Sequence, residues 1–414
     1  MPDEVTSGLS LVHNAGIAQR LSLRGPVIES TRPRCTLVTL VVALMIAQAA
    51  AVGCATAGAS AAGRTGPTRV VDVAALPQLD ELVGRLTDLE VIFVGERHDR
   101  YEDHLAQLAV LEGLQQRGES LAIGMEAFQQ PLQTHLDAYV AGAISEEEML
   151  RRTEYFSRWR FDYRLYRPIL RFARQHGIPV IALNLPNELT EKVGDVGIAG
   201  LSKEERAQLP EGIDRGDPAY RARLKRAFEA HPGMDEKDFE HFLEVQLLWD
   251  EGMAARAAQF LAEHPERTLV VLAGVGHVEY GQGIPARLGS RRPSKSAILI
   301  NGRGRNFDLE LADFLLFPEP VELSKAGLLG VMIDGQSGGP GVVVKGFAEV
   351  SGAKDAGIEE QDRIVRLGDT PVDEYADLRI ALIDRGAGTM VPVEVLRDRI
   401  IGESERLRFK VRLH

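Results

Sequence analysis

Apolar residues in this chain recur in short continuous runs, and polar residues follow several of these runs directly. One run leads into Glu96 and His98, the next into Glu126, another into Asn184, and a late one into a Gly-x-Gly-His sequence ending at His277. Continuous apolar runs, unlike alternating ones, are typical of strands buried on both faces of a parallel sheet. Because ligands bind beyond the carboxyl ends of such strands, we expect these side chains to outline one polar pocket.

Between these runs the apolar spacing is helical. We expect helices from Tyr101 onward, over roughly 130–175 and over 234–263, and a fifth strand over 296–301. Strands alternating with helices between residues 70 and 320 predict an α/β domain with a central, mostly parallel sheet flanked by helices.

From residue 321 to 414 the pattern changes to short β-rich runs separated by Gly and Ser turns, which predicts a small, barrel-like domain. This stretch resembles a PDZ domain, a module that takes a peptide carboxyl end as an added strand. The resemblance places the carboxylate-binding loop at Leu329, Gly330, Val331 and Met332 and implies a peptide or protein partner. Gln361 departs from the family pattern, which has Gly more often at this position.

The first 54 residues resemble a lipoprotein signal. Arg32 and Arg34 precede an apolar stretch over 36–53, and Ala51 to Cys54 resemble a lipobox, which makes Cys54 the expected site of lipidation. Residues 55–69 are mostly Ala, Gly, Ser and Thr and predict a flexible tether. A single transmembrane anchor is the alternative, but the apolar stretch is short for one.

Composition narrows the classes of function. The net charge of −12, from 60 acidic and 48 basic residues, argues against nucleic-acid binding. The chain has only two cysteines, Cys35 and Cys54, so residues 55–414 hold no disulfide, thiolate metal site or cysteine nucleophile. A metal or cofactor there would be held by His, Tyr, carboxylate or Met.

Glu96, His98, Glu126 and His277 combine carboxylates with imidazoles, which suits metal ligation or acid–base catalysis. A turn or a cap would explain a lone Glu-x-His pair, but four such residues at one sheet edge indicate a site. The chain has no dinucleotide fingerprint, P-loop, HExxH helix or Gly-x-Ser-x-Gly elbow. Nucleotide-dependent and serine-hydrolase chemistry are therefore not expected.

An aromatic and basic segment over 155–168 allows two interpretations. If helical, it places four aromatic rings on one stripe, from Tyr155, Trp159, Tyr163 and Tyr166. The stripe could pack in the core while the interleaved arginines face solvent. Alternatively, tyrosine and arginine together suit haem, since a phenolate can ligate ferric iron and guanidinium groups can pair with propionates.

A second polar pattern lies on the helix predicted over 234–263, where Gln246, Asp250 and Met253 share one face. This face either looks onto the pocket or reflects ordinary amphipathicity. Six further histidines are expected to be surface or core residues and not ligands, namely His104, His135, His176, His231, His241 and His264.

Taken together, several spaced motifs resemble the ChaN-like haem-binding lipoproteins. The residues that carry the resemblance are Gly95-Glu96-Arg97-His98, Met125-Glu126, Trp159, Tyr163, Tyr166, Asn184, Gln246, Trp249-Asp250 and Gly276-His277. The resemblance implies a protein without enzymatic activity, linked to iron uptake, in which a tyrosine at a homodimer interface holds haem. It makes Tyr163 or Tyr166 the expected iron ligand. The other residues expected at the haem are Trp159, Arg160, Arg164, Asn184 and His277.

The same resemblance extends to erythromycin-esterase-like and Tiki-like enzymes, and it keeps a second function open. In those enzymes the residues matching Glu96, His98, Glu126 and His277 carry out hydrolysis, in some cases with a divalent metal. The alternative is therefore a metal-dependent esterase or peptidase. With either function, the expected location is the bacterial cell envelope, through a lipid anchor in the outer membrane or facing the periplasm.

Overall fold

A computed structural model describes residues 70–215, 217–229, 236–334, 340–398 and 404–414. The predicted leader, the lipidation site at Cys54 and the tether lie outside the described residues. None of the helices in the described ranges is both long enough and apolar enough to span a membrane.

The first sheet has six parallel strands, as the apolar runs predict. Their bounds are β1 Val91–Glu96, β2 Leu121–Gln129, β3 Val180–Asn184, β4 Thr268–Gly274, β5 Ser296–Asn301 and β6 Phe314–Leu316. The strand order is β3-β2-β4-β1-β5-β6, so the strands that end in the predicted pocket residues are neighbours. The predicted parallel sheet is confirmed.

Eleven α-helices of this region lie in the described residues and connect or cover the strands. They are α1 Leu79–Gly84, α2 Tyr101–Gln116, α3 Gln133–Val140, α4 Glu146–Arg152, α5 Tyr155–Arg158, α6 Tyr163–His176, α7 Asn187–Val196, α8 Lys203–Arg206, α9 Pro218–Glu229, α10 Glu236–Glu263 and α11 Ile284–Arg291. Short 3-10 turns occupy Val73–Ala75, Gln130–Leu132, Ile198–Gly200, Val275–His277 and Glu279–Gly281.

Strand β1 is buried on both faces because its successive side chains enter two different apolar cores. Ile92 and Val94 belong to the core that contains α2 and α6, whereas Val91 and Phe93 belong to the core that contains α10. Every residue of β1 is buried. This double coverage explains why the strand has a continuous apolar run.

The helical region predicted over 130–175 is broken into α3, α4, α5 and α6. Glu154 and Arg160 take left-handed backbone angles, with φ of 50° and 70°, which end one helix and separate the next two. One continuous helical stripe from Tyr155 to Tyr166 is therefore wrong. The rings gather nevertheless, since Tyr155 lies 5.4 Å from Tyr163 and 6.4 Å from Tyr166 between ring centroids.

The second sheet is antiparallel and β-rich, as predicted. Its strands are β7 Val331–Asp334, β8 Val342–Phe347, β9 Arg363–Leu367, β10 Thr370–Pro371, β11 Met390–Arg397 and β12 Glu405–Arg412, in the order β12-β11-β9-β8-β7 with β10 beside β9. Helices α12 Gly352–Asp355 and α13 Tyr375–Leu382 complete this unit around a third apolar core. Among the described strands, β7 is an edge strand.

Candidate functional site

The loop after β1 curls so that Glu96 and His98 meet. The backbone N–H of Arg97 donates to Asp103 Oδ2 at 2.9 Å, and its guanidinium donates to Asp103 Oδ1 at 2.9 Å. Asn301, at the end of β5, also donates to Asp103. With the loop tied back in this way, His98 Nδ1 lies 2.9 Å from Glu96 Oε1.

Glu96 is the centre of a buried polar cluster that we name the Glu96 network. Its other members are His98, His104, Gln107 and Tyr166. Tyr166 donates its hydroxyl to Glu96 Oε1 at 2.7 Å, and Gln107 donates to Oε2 at 2.7 Å. His104 Nδ1 lies 3.2 Å from the same Oε2. Both oxygens of the Glu96 carboxylate are therefore fully engaged.

These contacts stabilise the ionised form of Glu96. Burial opposes its ionisation, but His104 and His98 outweigh that effect and hold the pKa of Glu96 well below its usual range. Burial likewise opposes charging of His104, while Glu96 raises its pKa. Because a carboxylate can only accept, His98 must donate from Nδ1, which leaves Nε2 as an acceptor in the neutral ring.

A second buried chain of contacts, the His277 relay, comprises Tyr220, Asp250, His277 and Glu126. Tyr220 donates its hydroxyl to Asp250 Oδ2 at 2.5 Å, and Asp250 Oδ1 lies 2.6 Å from His277 Nδ1. On the other side of the ring, His277 Nε2 lies 3.4 Å from Glu126 Oε1. Asp250 thus contacts the predicted pocket residue His277, which favours the first of the two interpretations of this helix face.

His277 lies between two carboxylates and is a cation at neutral pH. Burial disfavours its protonation, but Glu126 and Asp250 raise its pKa to about 10. Burial opposes ionisation of Glu126 too, and the contact with His277 lowers the pKa of Glu126 despite it. The relay therefore contains a fixed imidazolium.

The two groups come from opposite faces of the sheet and meet at Gly274, the last residue of β4. Glu126 Oε2 accepts the N–H of Gly274 at 2.6 Å. A Cβ on Gly274 would lie 2.8 Å from His98 Nε2 and 3.4 Å from Glu126 Oε2. The missing side chain thus allows the His98 ring and the Glu126 carboxylate to approach the backbone of β4 closely, and an alanine there would crowd the His98 ring.

Solvent exposure separates His98 and Glu126 from the groups behind them. The side chains of His98 and Glu126 are each 8% exposed, whereas those of Glu96 and Asp250 are 2% and 0% exposed. The most deeply buried residues therefore orient the slightly more exposed ones. This layered arrangement is typical of a preorganised chemical site.

The remaining residues predicted to contact haem are dispersed around this site. Trp159 packs edge-on against His98 at 4.9 Å between ring centroids. Asn184 donates to the backbone carbonyl of Glu126 at 3.2 Å, so it supports the end of β2. Arg160 is exposed, and Arg164 pairs with Asp162 at 2.6 Å.

Tyr163 and Tyr166 are the expected iron ligands, and as arranged here they do not fit a haem iron. Each is only 1% exposed. The Tyr166 hydroxyl donates to Glu96, and the buried Tyr163 hydroxyl has no hydrogen-bond partner among the described residues. Burial raises the pKa of both phenols well above 10, which disfavours the phenolate that ferric iron requires.

Three residues of the site were missed by sequence reasoning. His104 and Gln107 lie on α2 and reach Glu96, and Tyr220 lies on α9 and reaches Asp250. His104 was expected to be an ordinary surface or core histidine, and it is a core histidine with a role in positioning Glu96. The only available signal was their helical spacing, which places His104 and Gln107 on one face of α2.

Across the described ranges, no group of three His, Cys, Asp or Glu side chains is arranged to hold a metal ion. The divalent metal of the hydrolase alternative therefore remains a prediction for metal analysis to test.

The predicted carboxylate-binding loop of the second domain leads into the edge strand β7, since Leu329 and Gly330 precede the strand and Val331 and Met332 begin it. Gly330 has a φ of 74°, and a Cβ there would lie 2.5 Å from Ser351 Cα and Val350 O, so only glycine fits. Gln361 also takes a left-handed conformation, with φ of 72°, which explains why glycine is commoner at this position.

Comparisons with known proteins give two family matches. The PDZ domain matches residues 321–396.

A chloroplastic Arabidopsis thaliana protein, RETICULATA-RELATED 5, is 26% identical over 233 residues, covering 52% of this chain and 31% of the relative. The chain thus spans about a third of the length of that curated relative.

Solved structures show weaker likeness. ChaN of Campylobacter jejuni, described with cofacial haem binding, has 18% identity and a TM-score of 0.47, covering 57% of this chain and 90% of ChaN. An erythromycin esterase mutant in its open conformation has 14% identity and a TM-score of 0.34, covering 54% of this chain and 72% of the esterase.

The family described as haem-binding uptake, Tiki superfamily, ChaN matches residues 82–288, half of the chain. This range contains strands β1 to β4 of the parallel sheet, and it includes the Glu96 network and the His277 relay. The chain belongs to this ChaN family and carries a PDZ domain after it.

Proposed function

We propose that the α/β domain is a hydrolase in which His98 is the general base. The observation that carries this proposal is the setting of His98. Its Nδ1 is held by the Glu96 carboxylate at 2.9 Å, and its Nε2 lies beside Gly274, where the Glu126 carboxylate also lies. An imidazole oriented by a buried carboxylate is the usual arrangement of a catalytic base.

The reaction would be hydrolysis of an ester or amide. His98 Nε2 takes a proton from water while the water oxygen bonds to the carbonyl carbon. The same proton then passes to the leaving oxygen or nitrogen as its bond to carbon breaks. Glu126, kept ionised by the His277 imidazolium, orients the water by accepting its second hydrogen. Tyr166 and Asp250 are positioning residues, because they act through Glu96 and His277.

A screen of ester and peptide substrates tests this proposal. We expect His98→Ala and His277→Ala to lower turnover by about 10²–10⁴-fold. His264→Ala is the matched control, since the side chain of His264 is 45% exposed and its contacts, an ion pair with Glu266 and a ring contact with Phe260, lie outside the site. Metal analysis of the parent accompanies the screen. Turnover that is absent, or unchanged in both site variants, would overturn the hydrolase.

Haem binding is the second candidate, and the family match over residues 82–288 favours it. The buried tyrosines described above argue against ligation in the present arrangement, so no ligand geometry is derived. Mixing the protein with hemin and recording its absorption spectrum tests the candidate. A shifted Soret band supports haem binding, and its loss in Tyr163→Phe or Tyr166→Phe supports the predicted ligands.

The same titration can contradict either part of the haem proposal. An unshifted Soret band in the parent would overturn haem binding. Unchanged bands in both single variants and in the double variant would overturn the tyrosine assignment. Size measurement with and without hemin tests the homodimer that the family resemblance implies.

We further propose that the protein is a lipid-anchored component of the bacterial cell envelope, with a role in iron or haem handling if it binds haem. The apolar stretch and lipobox-like sequence ending at Cys54 support the anchor. Incorporation of labelled palmitate into the parent and its loss in Cys54→Ala would be the expected result. Equal labelling of both would contradict lipidation at Cys54.

A further inference from the structure

Helix α13 of the PDZ domain is shared between two apolar cores. Leu378 and Leu382 belong to the PDZ core. Tyr375 and Ile380, on another side of the same helix, pack against the core of the α/β domain. Any displacement of α13 therefore changes packing in both domains.

Polar contacts fasten both ends of α13 to the α/β domain. At its start, Arg151 of α4 donates to Asp377 Oδ1 at 2.6 Å. Just beyond its end, Arg167 of α6 donates to Asp384 Oδ1 at 2.5 Å. Between them, the guanidinium of Arg379 lies 5.2 Å from the ring centroid of Phe156 in α5. We name these contacts, with the two faces they join, the interdomain seam.

An open surface depression of about 490 Å³ borders the interdomain seam between α4 and α13, and Arg151, Ile380 and Asp384 are among the residues that line it. Interfaces between the domains of one chain allow relative motion unless they are large and apolar.

The helices that form the α/β side of the seam also contact the Glu96 network. Arg167 follows Tyr166 in the chain, and Tyr166 donates to Glu96 at 2.7 Å. Trp159 follows α5, which holds Phe156, and it packs against His98. The helices that carry α13 therefore also position the carboxylate and the imidazole of the site.

On its other side, α13 shares the PDZ core with the edge strand β7. Val331 and Ile333 of β7 pack against the same apolar core as Leu378 and Leu382 of α13. Among the described strands β7 pairs only with β8, which leaves one edge of its backbone open. A peptide carboxyl end added to that edge, with its carboxylate at the Gly330 loop, lies beside α13.

We infer that the groove between β7 and α13 is an effector site. Binding of a peptide carboxyl end in this groove changes the positions of Glu96 and His98 through the interdomain seam. The fitting ligand has a free carboxylate and an apolar last side chain. This regulation concerns the site of the proposed function but does not rest on its chemistry, so its test measures conformation and not turnover.

The chain contains a built-in reporter for this test. It has two tryptophans, and each lies edge-on to a histidine of the site: Trp159 at 4.9 Å from His98 and Trp249 at 6.1 Å from His277. Residues 321–414 contain no tryptophan. A change in tryptophan emission when a peptide binds the PDZ domain therefore reports a change in the α/β domain.

The experiment titrates the full chain with tryptophan-free peptides ending in Val, Leu, Ile, Phe or Ala. Anisotropy of a labelled peptide measures binding, and the unlabelled peptide is used for tryptophan emission. We expect binding to change the emission of the parent and of Trp249→Phe, but not of Trp159→Phe. The same peptides with an amidated carboxyl end are the control and should neither bind nor change emission.

Seam variants separate coupling from binding. Arg151→Gln combined with Arg167→Gln should still bind peptide but lose the emission change. Arg167→Asp should also lose the emission change, and adding Asp384→Arg should restore that change. Binding without any emission change in the parent, or no binding by any of the peptides, would overturn the inference. An emission change that persists in the seam variants would also overturn it. Loss of hydrolysis or of haem binding alone would leave it standing.

Discussion

The protein contains charged pairs in two contrasting settings, the His277 relay and the interdomain seam. Asp250 in the relay is fully buried, whereas the Asp384 side chain in the seam is 72% exposed. Both carboxylates pair with a cation at about the same distance, 2.6 and 2.5 Å. The two pairs differ in the cost of losing a partner, because water can solvate an exposed charge that has lost its partner but cannot solvate a buried one. The relay is therefore suited to fixed geometry and the seam to adjustment.

The largest expected effect comes from removing Asp250. Asp250→Ala leaves His277 Nδ1 and the Tyr220 hydroxyl without their acceptor in a fully buried place, so we expect the free energy of unfolding to fall by about 3–5 kcal/mol. Asp384→Ala is the matched seam variant, with an expected loss below about 1 kcal/mol. Urea unfolding measures both. Similar losses in the two variants would remove the contrast between relay and seam.

A somewhat smaller effect is expected from pH. The pKa of His277 is raised from 6.5 to about 10, so its protonation stabilises the fold fully below pH 6.5. That stabilisation is lost as pH rises from 6.5 to 10. The difference in unfolding free energy between the parent and His277→Gln should therefore shrink by about 1 kcal/mol or more over this window.

Nitrogen chemical shifts of the imidazole give an independent check on that titration. At about pH 8 a free imidazole is neutral, but we expect both ring nitrogens of His277 to carry protons. Parallel stability curves for the parent and His277→Gln, together with a neutral ring at this pH, would contradict the fixed cation.

The two neighbouring tyrosines of α6 test whether a buried hydrogen bond to a charge stabilises the Glu96 network. Tyr166→Phe removes the donor to Glu96 and should lower the unfolding free energy by about 1.5–3 kcal/mol. Tyr163→Phe is its matched control, because that hydroxyl is buried without a partner and its removal should be neutral or slightly stabilising. The opposite order in thermal or urea unfolding would show that Glu96 does not depend on Tyr166.

The smallest effect is expected at the seam itself. A double-mutant cycle with Arg167→Gln and Asp384→Asn should give a coupling energy of about 0.2–1 kcal/mol, because the pair is partly exposed. High salt should remove most of this coupling by screening. A coupling that is large and insensitive to salt would indicate that the seam is as rigid as the relay.

Much of the fold was predictable because apolar periodicity directly records burial. The runs before Glu96, Glu126 and His277 correspond to strands β1, β2 and β4, and their adjacency in the sheet brings the three residues together. Long helices were predicted less well. The region over 130–175 has helical spacing throughout, yet left-handed residues at Glu154 and Arg160 divide it, and neither residue type signals such a break.

The partners of the site residues were harder to predict. His104 is one histidine among ten in the chain, and its contact with Glu96 depends on how α2 packs on the sheet. Tyr220 meets Asp250 only because α9 packs beside α10. Such contacts join distant segments, and no local pattern encodes the distance between them.

The sequence by itself determined which residues end the central strands, and hence that Glu96, His98, Glu126, Asn184 and His277 share one edge of a sheet. It also determined that a PDZ domain follows, through its short strands and its Gly330 loop. Only the tertiary structure decided what each site residue contacts. It buries Tyr163 and Tyr166, and it makes His277 a cation between two carboxylates. The physical reason is that the positions of the strands along the chain follow from local periodicity, whereas pKa and accessibility depend on neighbours contributed by the whole fold.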